Sequence, residues 1–474
     1  MSKVVVLGAG ITGLAAAFEL AKAGMQVDVV EGESTIGGLA KNAHYKGFTF
    51  DMGPHRIYSE SPETMQFIKG LCGNELLTVK RISRMRIKGR YIQYPPKPKE
   101  LLTRLPPSLG FKFISSYLGN KFTSKDKLPD DSNYQGYLVR RFGKAMSDFF
   151  FLPYAKKVWG IPPTEISAEI AKLRLSQKNL TDTIKEIVKG PSPDKPKTAV
   201  EEFYYPKKGV GMIAEGLAEK VRKQGVTIHC QTKVTEFTSP PSLFGTRVLE
   251  VICESPQGQL NFPCDYVIST IPLSTLIPLT RHADQEISLI SKSLRHRSIL
   301  LFCLMLRKLQ VTDDHWLYFP EEEYHYTRIH QPKNFSLDLC PINKSSLVAE
   351  LTCFPDDHRW KSTDMEIYDY IIGDILAADL IHETDIEDYK VVRIRHAYPI
   401  YDSNYRNKLN QMFQYLQSIQ NLITTGRQGL FHHNNIDHAI MMGQAAAQYC
   451  LQSSDSSKKW YENLHQFDRF RVVD

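Results

Sequence analysis

"VVVLGAGITGLAAAFELAKAGMQVDVVE" runs from Val4 to Glu31, and its reading decides the fold. Val4-Val5-Val6-Leu7 is a continuous apolar run of mostly β-branched residues. Such a run predicts a strand buried on both faces. Gly8, Gly10 and Gly13 follow in the spacing GxGxxG. The Ala- and Leu-rich stretch Leu14 to Ala23 predicts a helix stopped by Gly24. Val27-Asp28-Val29-Val30 predicts a second strand, ending at Glu31. Each glycine has a physical reason. Gly8 permits the tight turn, Gly10 lets backbone approach a pyrophosphate, and Gly13 lets the helix pack close to the strand. The helix start, Ile11 and Thr12 included, offers free N–H groups and a positive dipole end to phosphates. Glu31 is placed to accept hydrogen bonds from an adenosine ribose.

Gly37 and Gly38 stand shortly after Glu31. A glycine pair there extends the phosphate site, a habit of FAD proteins more than of NAD dehydrogenases. The expected fold class is therefore α/β, with a Rossmann-type FAD-binding domain. At 474 residues the chain is long enough for two domains, or for one domain carrying an insertion. Its 42% hydrophobic content is that of a globular protein. A net charge of +7 suits an anionic ligand but does not argue for nucleic acid.

The eight cysteines form no CxxC pair, which fits reduced, mostly buried thiols in a cytosolic protein. "MSKVVVLGAG" enters a strand directly, without the pattern of a signal peptide, so a cytoplasmic location is expected. "SILLFCLML", Ser298 to Leu306, is too short to span a bilayer and reads as a buried strand. No HExxH, GxSxG or Cys/His ligand spacing occurs, so no metal is expected. Leu101 to Phe122 is basic and apolar, a candidate for peripheral membrane contact.

The stretch Val4 to Gly38 resembles the FAD-binding start of the amine oxidase and protoporphyrinogen oxidase superfamily. Further segments are similar to its UDP-galactopyranose mutase-like branch: "FDMGPHRIYSESPE" (Phe50 to Glu63), "RMRIKGRYIQYP" (Arg84 to Pro95) and "FFFLPYAKKVWGIPPTEIS" (Phe149 to Ser167). "YYPKKGVGMIAEGLAEKV" (Tyr204 to Val221), "DYVISTIPL" (Asp265 to Leu273), "HWLYFPEEEYHYTRIH" (His315 to His330) and "HAYPIYD" (His396 to Asp402) continue the likeness. "TGRQGLFHHNNIDHAIMMG" (Thr425 to Gly443) carries the branch's Gly-Arg-x-Gly.

The resemblance and the element pattern give one map. The FAD-binding domain is discontinuous, in segments 1–65, 204–280 and 395–453. An α+β substrate domain is inserted as 66–203, mostly helical, and 281–394, strands and helix. Residues 454–474 form a C-terminal tail, expected to be loosely attached. Gly190 to Pro196 reads as a Pro-rich connection.

The resemblance also assigns residues. His55 and Arg328 become candidates for catalysis, His55 beside the flavin ring. The cofactor is FAD, touched by Gly8, Gly10, Ile11, Thr12, Gly13, Glu31, Gly37, Gly38, Leu39 and Val234. Gly426, Asp437, His438 and Ala439 join them, with Arg427 on the pyrophosphate. The helix after Asn435 is expected to aim its N-terminus at the flavin, where charge accumulates on reduction. Arg84, Trp159, Tyr318, Tyr398, His432 and His433 become candidates for substrate binding. Arg84, Arg86 and Arg90 could meet a diphosphate or form a solvated strand face.

The expected function is an FAD-dependent oxidoreductase. It would transfer hydride between the flavin and a small anionic substrate, nucleotide- or lipid-linked, of a glycan pathway. The alternatives are a non-redox mutase of the UDP-galactopyranose type and a non-catalytic flavin-binding scaffold. Phe431-His432-His433 stand where the mutases carry aromatic and tyrosine residues, and "YPIYD" departs from their Tyr-Pro-x-Pro-Thr. Both departures favour a different substrate.

Overall fold

The structure, a computed structural model, describes residues 1–94, 104–123, 129–174, 201–239, 246–280, 283–452 and 456–472. The Pro-rich stretch Gly190 to Pro196 and residues 101–103 lie outside them.

Strand Lys3–Leu7 is the centre of a five-stranded parallel sheet. Gln26–Val30 and then Thr227–His229 lie on one side, Tyr266–Ser269 and Leu422–Thr424 on the other. The sheet draws strands from three distant parts of the chain. Val4 to Leu7 are fully buried, as a central parallel strand requires. Helix Ile11–Lys22 packs on this sheet and against the long helix Ile436–Gln452. Their approach depends on Gly443, where a Cβ would lie 2.2 Å from the Thr12 carbonyl oxygen.

A second sheet has seven strands and is mostly antiparallel. Its strand His296–Leu306 is buried at every position, as the run Ser298 to Leu306 predicts. Strand Ile386–Pro399 crosses residue 395 unbroken. Helix Asp364–Ala377 starts at a capping box built from Thr363 and Glu366.

Residues 144–159 form one helical run with a π-turn at Ser147–Phe151. Pro153 lacks an N–H to return to the Phe149 carbonyl, and the helix widens just before it. This turn carries Phe150 and Phe151.

The C-terminal tail is not loosely attached. Trp460, Tyr461, Phe467 and Phe470 are buried. The Trp460 indole N–H donates to the Thr424 carbonyl (2.9 Å), and the Thr424 N–H donates to the Tyr461 hydroxyl (3.1 Å). Polar residues outnumber these aromatics in the tail, which hides them from a reading by composition. All eight cysteines are free thiols, seven of them buried.

Candidate active site

The cradle after the first strand is built for a dinucleotide. Gly8 has φ +101°, and a Cβ on Gly13 would lie 2.0 Å from the Gly8 carbonyl oxygen. Helix Ile11–Lys22 has no side-chain cap at Gly10, so its N-terminal N–H groups keep their capacity for an anion. Gly38 faces it across the gap: a Cβ there would meet Gly10 Cα at 3.3 Å. Glu31 is fixed by the Ala9 N–H (2.8 Å) and the Glu33 N–H (3.0 Å). Its carboxylate retains lone pairs for further donors. The Thr232 N–H donates to the Glu31 carbonyl (2.8 Å), which leads the chain past Glu31 to Val234. Leu39 packs against the core cluster that includes Phe48 and Phe50.

The Gly-Arg segment closes over this cradle. Gly426 has φ +80°, and a Cβ there would sit 2.8 Å from Thr12 Oγ1. The Arg427 guanidinium donates to the Ala397 carbonyl (3.2 Å) and to the Asn434 side-chain and backbone oxygens. These partners are neutral, and burial lowers its pKa. A guanidinium held this way keeps its charge available for an anion.

Helix Ile436–Gln452 begins where expected, with Asn435 at its entrance. The Asn435 N–H donates to His438 Nδ1 (3.3 Å). His438 is stacked on Phe470 at 4.2 Å and 7°. Burial pushes the Asp437 carboxyl up to about 6, and its Oδ1 has no partner. A buried, unsatisfied oxygen marks a place where something else should bond. Ala439 occupies the first turn beside it.

A second constellation lines one cavity: Trp159, Tyr318, Arg328 and Tyr398, with Tyr94, Tyr154, Arg174 and Glu350. Strands Trp316–Tyr318 and Arg328–His330 are antiparallel neighbours, with Tyr318 directly opposite Arg328. Arg328 Nε donates to Glu350 (2.6 Å), and Nη2 to the Tyr398 hydroxyl (3.3 Å). That carboxylate holds the buried guanidinium charged, and its pKa is raised despite the cost of burial. The Arg174 guanidinium lies over both Trp159 (5.1 Å) and Tyr398 (5.2 Å). Two cations thus flank one tyrosine beside an indole.

His55 follows Gly53, whose φ is +117°. Its Nδ1 lies 3.8 Å from Asp51 Oδ2 and has no hydrogen-bond partner. Asp51 is already taken by the Tyr205 hydroxyl (2.7 Å) and the Val210 N–H (3.1 Å). His330 lies between His55 and Arg328 in charge terms: burial and both neighbours hold it well below the usual imidazole range. His330 Nδ1 lies 3.8 Å from Glu350 Oε1, beside the Arg328–Glu350 pair, whereas His55 is not among the residues lining the cavity.

The adjacent histidines separate. Phe431 takes a left-handed φ of +50°, and the chain turns sharply there. His433 is buried, its Nε2 2.8 Å from the Pro399 carbonyl and its ring edge-on to Trp159 (5.5 Å). It supports the cavity wall from behind. His432 faces away, toward Phe470.

Arg84 is not brought to this cavity. Met85 lines it, so the alternate residues Arg84 and Arg86 face the other way. Arg84 is held by both oxygens of Asp314 (3.0 Å) and Arg86 by Glu321 (2.9 Å). The Arg90 guanidinium donates to the Arg104 carbonyl (2.7 Å). Arg84 and Arg86 are neutralised by the protein's own acids, and Arg90 is engaged by a backbone carbonyl.

Arg174, Glu350 and His330 carry no role in the sequence reading. Glu350 had a signal: it is the lone charge in the buried strand Ser345–Cys353. A charge there demands a buried partner. Arg174 had none. Among the described residues, no group of three His, Cys, Asp or Glu could hold a metal ion.

Comparisons with known proteins give the family and the fold. Residues 11–451 match the family described as flavin containing amine oxidoreductase. The chain belongs to that family, and its cofactor is FAD. Protoporphyrinogen oxidase 2 of Arabidopsis thaliana is 26% identical over 172 residues, 35% of this chain and 34% of that enzyme. The chain thus matches about a third of the length of that relative. Protoporphyrinogen oxidase of Dictyostelium discoideum is 22% identical, over 65% of this chain and 67% of its own length. Among solved structures, reduced UDP-galactopyranose mutase superposes with a TM-score of 0.81 at 22% identity, covering 100% of this chain and 98% of that one. A putative protoporphyrinogen oxidase from Exiguobacterium sp. 255-15 gives 0.72 at 16%, covering 95% and 99%. These likenesses establish the fold. No helix among the described residues is long and apolar enough to cross a membrane.

Proposed function

We propose that the protein is an FAD-dependent oxidoreductase acting on a small anionic substrate, carried on a nucleotide or a lipid in a glycan pathway. Segments 1–65, 204–280 and 395–453 would bind FAD, and the inserted segments would bind substrate. One observation carries the reading: Arg328 and Arg174 flank Tyr398 beside Trp159 in a single cavity. Two guanidinium groups in a partly desolvated site suit a diphosphate or a carboxylate. The Trp159 indole offers a flat face for a ring.

When bound, FAD supplies the hydride chemistry. The chain's own residues do the rest. Arg328, held in place by Glu350, orients the anion and needs no reorganisation when substrate arrives. Tyr398 and Tyr318 exclude water from its flanks. His55, with Nδ1 unpaired and outside the cavity lining, would hold or pass a proton on the cofactor side. His330 is neutral at physiological pH and adds no competing charge. Gly10, Gly38, Glu31, Arg427 and the start of helix Ile436–Gln452 would hold the cofactor.

The second reading is a non-redox mutase of nucleotide-linked sugars. It is favoured by the full-length superposition on UDP-galactopyranose mutase. The experiment that separates the two starts from the purified, FAD-loaded protein, reduced with dithionite. UDP-galactose and UDP-galactofuranose are then offered. Under the oxidoreductase reading neither sugar ring is interconverted. Ring interconversion without net redox change would overturn that reading. Failure to bind UDP at all would remove the mutase.

A further inference from the structure

Helix Pro107–Phe122 presents an apolar stripe to solvent. Phe111 is 75% exposed, Ile114 44%, Leu118 45% and Phe122 88%. At 100° per residue these four fall within one narrow face. The opposite face is fastened. Phe113 and Tyr117 are buried, the Ala145 N–H donates to Ser116 Oγ (3.0 Å), and the Asn120 amide donates to the Val139 carbonyl. Gly143 permits the close approach, since a Cβ there would lie 2.9 Å from the Tyr117 nitrogen. The stripe therefore does not point outward for want of packing on the other side.

The sequence around the stripe has one sign of charge. Between Lys97 and Lys127 there are seven Lys and Arg against Glu100 and Asp126. Exposed Lys112 lies on the helix itself, next to the apolar face. An apolar stripe with Lys112 beside it, on a helix without a carboxylate in a stretch whose sequence is net basic, is complementary to an anionic lipid surface. The helix is also continuous with the substrate cavity. The Phe113 ring packs on Phe149 at 5.5 Å, and the neighbouring Phe150 and Phe151 line the cavity.

We infer that helix Pro107–Phe122 docks the protein on an anionic bilayer, with Phe111, Ile114, Leu118 and Phe122 inserted between headgroups. The docked face and the cavity wall then share one aromatic layer, so a lipid-linked anion would reach Arg328 from the membrane side. That last consequence rests on the proposed function; the docking itself does not.

The test is co-sedimentation of the FAD-loaded protein with phosphatidylcholine vesicles, with and without phosphatidylglycerol. The protein should pellet with the anionic vesicles only, and added salt should release it. The double variant Phe111→Ser/Phe122→Ser should bind about tenfold less or weaker still. Lys112→Glu should lessen both binding and salt sensitivity. Both variants should retain FAD and the wild-type thermal midpoint, because the altered side chains are exposed. Three outcomes would overturn the docking: no binding to anionic vesicles, equal binding by the double variant, or a concentration-dependent dimer abolished by that variant in place of vesicle binding. Vesicle binding requires no turnover, so it stands or falls separately from the reaction assigned to the cavity.

Discussion

The Arg297 guanidinium fills the space where a side chain on Gly160 would lie: a Cβ there would be 2.4 Å from Arg297 Cζ. Gly160 also has φ +70°. Arg297 Nε donates to the Val158 carbonyl (3.0 Å), so the arginine holds the backbone on both sides of Trp159. Gly160→Ala must either move Arg297 or distort this turn. It should cost about 1–3 kcal/mol of stability. Displacing Trp159 should also raise KM more than it lowers kcat. Thermal melts and steady-state kinetics on the same variant check both.

Gly443 permits the contact of helices Ile11–Lys22 and Ile436–Gln452. Gly443→Val should separate them where, under the proposed binding, both would meet the cofactor. The expected loss is about 2–3 kcal/mol from overpacking. The FAD-to-protein ratio after gel filtration should fall well below that of the wild type.

Arg328 and Glu350 are a buried pair, and removing one partner strands the other. Glu350→Ala should destabilise by about 3–5 kcal/mol. The double variant Arg328→Met/Glu350→Met should regain much of that stability and still fail to bind substrate. Urea denaturation measures the first outcome, and quenching of the flavin signal by substrate measures the second. A double variant that binds normally would remove Arg328 from the site.

Burial holds His432 and His438 down to about 4, against 6.5 in an unfolded chain. The unfolded state therefore takes up protons first as pH falls. The stability these groups confer is present above about 6.5 and lost as pH drops through 4. Each should account for about 3 kcal/mol of that loss. Melting between pH 7.5 and 4.5 should show it, and His432→Gln should flatten the slope.

Arg427→Ala should weaken FAD retention, because the guanidinium is held at the cradle by neutral partners only. Full flavin occupancy in that variant would contradict the role.

How far the sequence could be read depended on the range over which each signal acts. GxGxxG, the apolar first strand and Glu31 lie within thirty residues and set one another's geometry, so they were legible. So was strand His296–Leu306, whose burial is written in its own residues. The row Arg84, Arg86 and Arg90 was not. Asp314 and Glu321, which neutralise the first two, lie some 230 positions away and announce nothing locally. The tail misled for a related reason: Trp460, Tyr461, Phe467 and Phe470 find their partners on distant strands and helices. His432 and His433 were flagged together, but a left-handed Phe431 sends only one of them to the cavity wall.

The parallel sheet has a consequence for the order of assembly. Its central strand is made first, yet the neighbour Tyr266–Ser269 on one side, and Leu422–Thr424 beyond it, emerge hundreds of residues later. Trp460 then bolts the last strand from outside. On the ribosome, the N-terminal strand can pair early with Gln26–Val30, but its other edge must stay open until Tyr266–Ser269 has been synthesised. Long-range pairing of this kind is slow and exposes unpaired strands. Free FAD, if it meets the proposed residues from both ends of the chain, would then act as a late clasp. Flavin supply during expression should set how much protein escapes aggregation.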